Sequence, residues 1–506
     1  MIKMRTKSLI AKEIRGEIKN NGLVKLCNDF NKKFKTGELY LVGGVIRDIA
    51  IYRKKDADLD FVVRNVKATE LKKFLSKYGK VNLVGKSFGV FKFRAKNSKS
   101  SHFVDFALPR TEHALGTGAY RDFKVQSNPR LTIKEDLSRR DFTINALAWD
   151  IKNKNLIDEF GGINDLRGKV IRTVGKPEER FSEDYSRMLR ALRFATELEF
   201  EIESNTWKGI KKLIPEINKK KNGRYIVPRE IIAKEFLKSF SADPLEALEW
   251  WDGANALAKL IPELSALKEC KQPIEFHAEG NVWKHIHLCL EVLDSQKFKK
   301  EFNIAKPDLY VALGVLFHDI AKPKTVRKKS KSRGHISFPG HAAMGGKITR
   351  EIVRRLKLES YKAEGINIEA KKLGWLVENH MFILGNDPKS CPENFVYEYF
   401  MQKDFPKDYL LKISYCDIHG SKMGSSIANV YELNYFGYKE RIRKLEKRFP
   451  RGVPGPIVDG TYVMEALNIQ PSPKVNKILK EIREEQLAGR IKTKSQAKKY
   501  LLSHKW

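Results

Sequence analysis

The segment Leu41-Val-Gly-Gly-Val-Ile-Arg47-Asp48, with Asp58-Leu59-Asp60 close behind it, constrains this chain more than any other feature. An apolar run enters a Gly-Gly turn, and a second strand, Asp58–Val63, sets Asp58 and Asp60 on one face against Leu59 and Phe61 on the other. Two adjacent carboxylates repel, and burying them is costly unless a cation or hydrogen bonds compensate. Magnesium held by carboxylates together with substrate phosphates provides that compensation. A Gly-Gly turn also lets backbone N–H groups approach a phosphate with no Cβ in the way. An alternating acidic pair is common on surface strands; here the upstream turn and a third carboxylate, Asp105 in His102-Phe-Val-Asp-Phe-Ala107, turn the pattern toward a metal site. Two magnesium ions on Asp58, Asp60 and Asp105 would bridge the α-phosphate of a nucleoside triphosphate, one activating an acceptor 3′-hydroxyl, the other offsetting charge on pyrophosphate. Asp105 taken alone also suits a strand-end cap.

A chain of 506 residues exceeds one hydrophobic core, so several domains are expected. The 97 basic and 62 acidic residues leave +35, spread over the whole length. That balance fits a polyanion such as RNA better than a small acidic metabolite, although a lysine-biased proteome gives the same composition. Cys27, Cys270, Cys289, Cys391 and Cys416 form no C-x-x-C pair, which argues against a disulfide framework or zinc finger and fits a reducing cytoplasm. The basic start Met1–Lys7 leads into no long apolar segment, so no secretory signal is expected. Leu309–Phe317, the most apolar window, is too short to span a membrane and reads as a core helix.

The expected fold class is α+β. A basic amphipathic helix over about 15–35 precedes strands at Leu39–Val42, Leu59–Val63, Val81–Leu83, Val90–Phe93 and His102–Phe106, with helical spacing over Ala68–Tyr78. Thr111–Glu135 reads as a long polar loop with a binding or lid role. Beyond Lys176 strand signals nearly vanish. Glu183–Thr196 is a strong helix, and helices continue to about Leu260 with breaks at Pro215, Asn222-Gly223, Pro228 and Pro244. Four domains follow: a mixed-sheet head over 20–165, an all-helical neck over 166–262, a helical histidine-rich domain over 263–428 and a basic helical tail over 429–506, together an elongated chain.

Two further segments carry candidate chemistry. In Arg139-Arg-Asp-Phe-Thr-Ile-Asn-Ala146, polar Arg140, Asp141 and Asn145 interleave with Phe142 and Ile144, suggesting buried anchors beneath an exposed polar rim; a turn with an Arg–Asp pair fits equally. In the helix from Glu183, Asp184 and Arg187 are three apart and share a face, ready to offer acceptors and a rigid donor fork to a base edge. An ordinary intrahelical ion pair has the same pattern.

Taken in order, these motifs resemble the class II tRNA nucleotidyltransferase family, which includes CCA-adding enzymes and bacterial poly(A) polymerases. The resemblance implies that Asp58 and Asp60, with Asp105 as the third carboxylate, are magnesium ligands. It implies that Gly43, Gly44, Arg47, Arg140, Asp141 and Asn145 bind the nucleotide. Asp158-Glu-Phe-Gly-Gly162 with Asp165-Leu166 resembles the family's head-to-neck hinge. Asp184 and Arg187 would pair with the Watson–Crick edge of CTP or ATP, with Arg190 and Arg193 near the triphosphate. Thr111–Glu135 matches the flexible loop that assists the switch from CTP to ATP. Pro228-Arg-Glu-Ile-Ile232 departs from the family's Glu-Arg-Ile, and Arg229 or Arg224 would substitute. The implied activity is addition of C, C and A to the tRNA 3′ end, with poly(A) or partial addition as the alternative, and the implied partners are tRNA, CTP and ATP, with no membrane.

Over 275–425, His285, the adjacent His318-Asp319, His341, His380 and Asp417 recur in helical context, a donor set suited to Mg, Mn, Ni, Co or Fe; softer thiolate sites are absent from the pattern. The arrangement resembles the HD phosphohydrolase superfamily. It implies His285, His318, Asp319 and Asp417 as core ligands, His341 and His380 as ligands of a second metal, and Lys322 on the phosphate side. The activities implied are 2′,3′-cyclic phosphodiesterase, 2′-nucleotidase and phosphatase, with a retained architectural scaffold as the alternative.

Overall fold

The computed structural model describes residues 4–53, 59–84, 90–96, 103–114, 118, 123–327, 336–363, 365–401, 408–450, 452–504 and 506; Asp58 and most of the basic run 327–333 lie outside them. The chain forms two compact units, Met1–Leu260 and Ile261–Trp506.

The first nine strands are β1 Glu38–Val42, β2 Asp60–Arg64, β3 Gly79–Val84, β4 Val90–Ala95, β5 Val104–Ala107, β6 Arg110–Ala114, β7 Phe123–Ser127, β8 Ala148–Asp150 and β9 Asn155–Ile157. Seven of them make one mixed sheet in the order β3-β4-β5-β2-β1-β8-β9. The central strands read as near-continuous apolar runs because both faces are covered. Tyr40, Val42 and Val62 pack with Ile133, Leu137 and Ala148, while Leu39, Leu41, Phe61 and Val63 are buried on the alternate side. Phe61 stacks on Phe106 at 4.9 Å across the parallel β2–β5 pair.

Three expectations change in this unit. The helix over 15–35 is two helices, Lys7–Asn20 and Val24–Lys33, parted where Gly22 takes φ +68°. Within Thr111–Glu135, residues 115–117 and 119–122 lie outside the described residues, and the described parts form regular elements. Arg110–Ala114 pairs with Phe123–Ser127 as the β6–β7 hairpin, and Thr132 and Glu135 form a reciprocal capping box that starts the helix Ile133–Ser138. The helix from Glu183 is interrupted: Pro177–Glu183 ends, Asp184 is extended at φ −153°, and Ser186–Leu198 begins anew. From Val170 onward the unit is helical apart from the Phe142–Thr173 bridge and two-residue pairings, Val170–Ile171 with Glu201–Ile202 and Lys220–Lys221 with Arg224–Tyr225. Ser186–Leu198 packs against Arg229–Ala242, burying Met188, Leu189, Leu192, Ile232, Phe236 and Leu237.

The second unit is built from helices. Val282–Asp294, Leu309–Phe317 and Tyr409–Gly420 pack on one another, and His341–Arg355 lies against Ala370–Asn379. At that last crossing a Cβ on Gly346 would sit 2.6 Å from the Gly374 carbonyl oxygen, so glycine permits the close approach. No helix among the described residues is long and apolar enough to cross a membrane. Leu309–Phe317 is a core helix, buried from Val311 to Phe317.

Candidate functional site

Parallel pairing of β2 with β5 sets Asp60 and Asp105 in register on neighbouring strands, whose backbones run roughly 4.8 Å apart. The turn after β1 bends over this pair. Gly43 adopts φ +87° and ψ −148°, a region open essentially to glycine. A Cβ there would lie 3.0 Å from Arg140 Nη1 and 3.9 Å from Asp60 Oδ2. The missing side chain therefore leaves room between a carboxylate and a guanidinium. Gly44 opens the short helix Gly44–Ala50, on which Arg47 donates to Asp48 at 2.9 and 3.0 Å and to Asn145 Oδ1 at 2.7 Å.

The rim expected at Arg139–Ala146 is instead interior. Asp141 and Asn145 are buried. Asp141 accepts from the Phe142 N–H at 2.8 Å, from Asn145 Nδ2 at 3.0 Å and from Arg190 Nη2 at 2.6 Å. Buried polar groups need such partners, and the result is a continuous chain from Arg47 through Asn145 and Asp141 to Arg190. Burial opposes the charge on Asp141, but Arg190 and Asn145 prevail and hold its carboxyl well below the usual range. Arg47, Arg190 and Arg193 surround the Phe194 ring at 5.0, 5.3 and 4.0 Å from its centroid, concentrating positive charge. Arg193 is engaged on its far side by buried Glu235 and by Glu197.

Asp184 and Arg187 do not share a helical face. Asp184 occupies the break, where its carboxylate accepts the Ser186 N–H at 2.9 Å, and burial raises its pKa. Arg187 donates to Glu183 Oε2 at 2.6 Å and to the Arg180 carbonyl at 3.2 Å. The divergent segment also finds partners: Arg229 begins its helix, donates to Asn218 Oδ1 at 2.8 Å and lies 3.7 Å over the Tyr225 ring.

In the second unit, helix ends and helix faces bring all six expected residues together. His285 Nε2 is 3.2 Å from both His318 Nε2 and Asp417 Oδ1. Asp319 faces both halves of the cluster: Oδ2 is 3.3 Å from His318 Nε2, while Oδ1 is 3.5 Å from His341 Nε2 and 3.8 Å from His380 Nε2. The Nδ1 atoms of His318, His341 and His380 lie 2.8, 2.8 and 2.7 Å from the carbonyls of Val315, Phe338 and Val377. That contact fixes Nδ1 as the donor and leaves each Nε2 lone pair facing the cluster. Burial and the neighbouring histidines push His380 down to about 3, so its ring is neutral. Asp319 is buried, yet Lys322 and the histidines hold its carboxyl well below the ordinary value. Lys322 also donates to Gln272 Oε1 at 2.6 Å.

Sequence reasoning missed three neighbours here. Cys289, one helical turn after His285, puts its sulfur 3.4 Å from His285 Nε2, so a thiol does adjoin the cluster. His277 and Glu279 sit in the turn before the helix. Only the spacing His277-x-Glu279 ahead of His285 hinted at them. A cavity of 180 Å³ opens onto Asp319, His341, Asp417 and Lys322, walled by Phe276, Phe338 and Tyr431.

Comparison with known proteins supplies an independent view. Residues 39–172 match the family described as the Poly A polymerase head domain. The chain is 33% identical over 325 residues to the multifunctional CCA protein of Xylella fastidiosa (strain M12), covering 63% of this chain and 70% of that protein. The structure is similar to that of the Bacillus stearothermophilus CCA-adding enzyme in complex with CTP, with a TM-score of 0.60, 19% identity and 97% of each chain covered. It is also similar to the Thermotoga maritima CCA-adding enzyme complexed with tRNA, with a TM-score of 0.57, 19% identity and 99% of each chain covered.

Proposed function

This chain belongs to the class II tRNA nucleotidyltransferase and poly(A) polymerase family, and on that premise we propose that it completes tRNA 3′ ends by adding C, C and A from CTP and ATP. The observation that carries the reading is the register of Asp60 with Asp105 beneath the Gly43-Gly44 turn. The residues fit magnesium: hard carboxylate oxygens lie on neighbouring strands, and the glycine keeps the space beside Asp60 clear. Asp58, Asp60 and Asp105 would hold the ions. Bound there, magnesium supplies acidity to the acceptor 3′-hydroxyl and charge neutralisation to the leaving pyrophosphate.

The protein's own side chains then have distinct tasks. Arg47, Arg140 and Arg190 attract the triphosphate, and Asp141 and Asn145 hold the first and last of these in place. Arg193, bound to Glu235, supports that cluster from within the neck. Asp184 and Arg187 read the base edge, because a wrong base leaves a buried donor or acceptor without its partner. The tRNA is held largely through phosphates by a chain of net charge +35.

The second unit is read as an HD phosphohydrolase site acting on 2′,3′-cyclic phosphate ends. His285, His318, Asp319 and Asp417 would hold a divalent metal (Ni, Mn, Co, Fe or Mg), and His341 and His380 a second, with Lys322 toward the phosphate. Convergent Nε2 lone pairs and a buried shared carboxylate fit such ions. The reading puts this work in the cytoplasm, in keeping with five free cysteines.

The deciding experiment presents tRNA transcripts lacking one, two or three terminal nucleotides with CTP alone, ATP alone or both. With CTP alone a CCA-adding enzyme adds two nucleotides to the transcript lacking three, one to that lacking two and none to that lacking one, and with ATP alone it adds a single nucleotide to the transcript that already ends in CC. An ATP ladder on every transcript would establish poly(A) synthesis instead.

A further inference from the structure

The four histidines of the cluster are not held alike. His318, His341 and His380 direct Nδ1 to backbone carbonyls, whereas His285 alone directs Nδ1 to a carboxylate, Glu279 Oε1, at 3.0 Å. Glu279 is 7% exposed. Its Oε1 also accepts from His277 Nδ1 at 2.8 Å, and its Oε2 accepts the Lys422 backbone N–H at 2.9 Å. Three donors from separate segments thus fix this carboxylate. The turn that carries it is tied down by the Gln272 N–H to the Gly280 carbonyl, at 2.9 Å.

A carboxylate behind an imidazole does more than a carbonyl can. It sets the tautomer, locks the ring's rotation, and places negative charge where it makes the opposite nitrogen a stronger donor to a cation. The shared Asp319 separates two donor groups: His285, His318 and Asp417 on one side, His341 and His380 on the other. Only the first contains a histidine backed by a carboxylate.

We propose that Glu279 is a positioning residue that makes the His285–His318–Asp417 half of the cluster the tight metal position, leaving the His341–His380 half the weak one. The inference rests on the reading of this cluster as a metal centre. His277 contacts the same carboxylate oxygen, Glu279 Oε1, through Nδ1 and lines the cavity that opens onto the cluster. It shares the clamp without belonging to the donor set.

The test is calorimetric titration of the chelator-stripped full-length protein with Mn(II), repeated with Ni(II). With Asp60→Ala as the common background, which takes metal binding at the head carboxylates out of the titration, the otherwise unsubstituted protein is expected to bind in two unequal steps. Glu279→Gln, which keeps the shape and the bond from Lys422, should weaken the tight step by about tenfold to a hundredfold and leave the weak step within threefold. His277→Ala should leave both steps within about threefold, the size of change expected away from the ligand set. Melting of the metal-free proteins, followed by circular dichroism, should show both variants folded. Should Glu279→Gln disturb packing, Glu279→Asp provides a second carboxylate, and it should recover part of the lost affinity. An unchanged tight step in folded Glu279→Gln overturns the proposal. So does an equal loss in His277→Ala, because the turn and not the carboxylate would then be responsible. Otherwise unsubstituted protein that binds neither metal overturns the metal-centre reading itself, and the proposal with it.

Discussion

On the proposed reading, single side chains in the first unit divide the work between charge and recognition. Arg187 is held by Glu183 and the Arg180 carbonyl, which fixes the orientation of its fork. Replacing it by alanine should relax selection among CTP, ATP, UTP and GTP by about 1–3 kcal/mol while tRNA affinity changes little. Incorporation ratios measured in competition test this, and unchanged ratios would reduce Arg187 to an ion-pair partner of Glu183 across the helix break. Gly43 carries a different constraint. Its backbone conformation costs a residue with a side chain on the order of 1–3 kcal/mol, and a Cβ would press on Arg140 at 3.0 Å. Gly43→Ala should therefore lower the melting temperature and raise the KM for nucleoside triphosphate together. A variant with wild-type KM would show that the turn does not approach the nucleotide.

Elements show which parts of this structure were legible in the sequence. Strands β1 to β5 were, since their apolar alternation and turns are local signals. Asp60 beside Asp105 was legible only as a chemical expectation, because strand order is a long-range property that no window of residues contains. The β6–β7 hairpin was hidden because Arg110–Ala114 is mostly polar and the Phe123-Lys-Val-Gln-Ser127 alternation is only five residues long. Asp184 was assigned to a helix because its neighbours have helical spacing, yet it is extended and its carboxylate accepts the N–H of Ser186 at the start of the next helix, as aspartate does at caps. The buried Arg193–Glu235 pair between the helices Ser186–Leu198 and Arg229–Ala242 was not legible either, being 42 residues apart. Glu235 is 2% exposed and Arg193 6%. Glu235→Ala leaves that guanidinium with Glu197 only, and it should destabilise the first unit by on the order of 3–5 kcal/mol. Denaturant unfolding checks this; a loss below about 1 kcal/mol would mean that Arg193 finds compensation from Glu197 or water.

At the scale of the whole molecule, the two candidate sites fall in separate compact units. The carboxylates Asp60 and Asp105 and the arginine cluster belong to Met1–Leu260, and every histidine–aspartate donor belongs to Ile261–Trp506. Each unit has its own buried core, so loss of one site need not propagate to the other. Asp319→Ala tests that separation most directly. The carboxylate is 2% exposed and faces His318, His341 and Lys322, so its removal takes away the shared oxygen donor and leaves a buried ammonium with one fewer partner. Some stability of the second unit should be lost, and melting must establish that the variant is folded at the assay temperature. In folded protein, metal-dependent hydrolysis of a 2′,3′-cyclic phosphate should disappear, and addition of C, C and A should stay within a fewfold of wild type on the same preparation. Loss of both activities in folded protein would show that the two centres depend on each other. Retained hydrolysis would remove Asp319 from the donor set and move the reaction away from the cluster where His285, His318 and Asp417 converge.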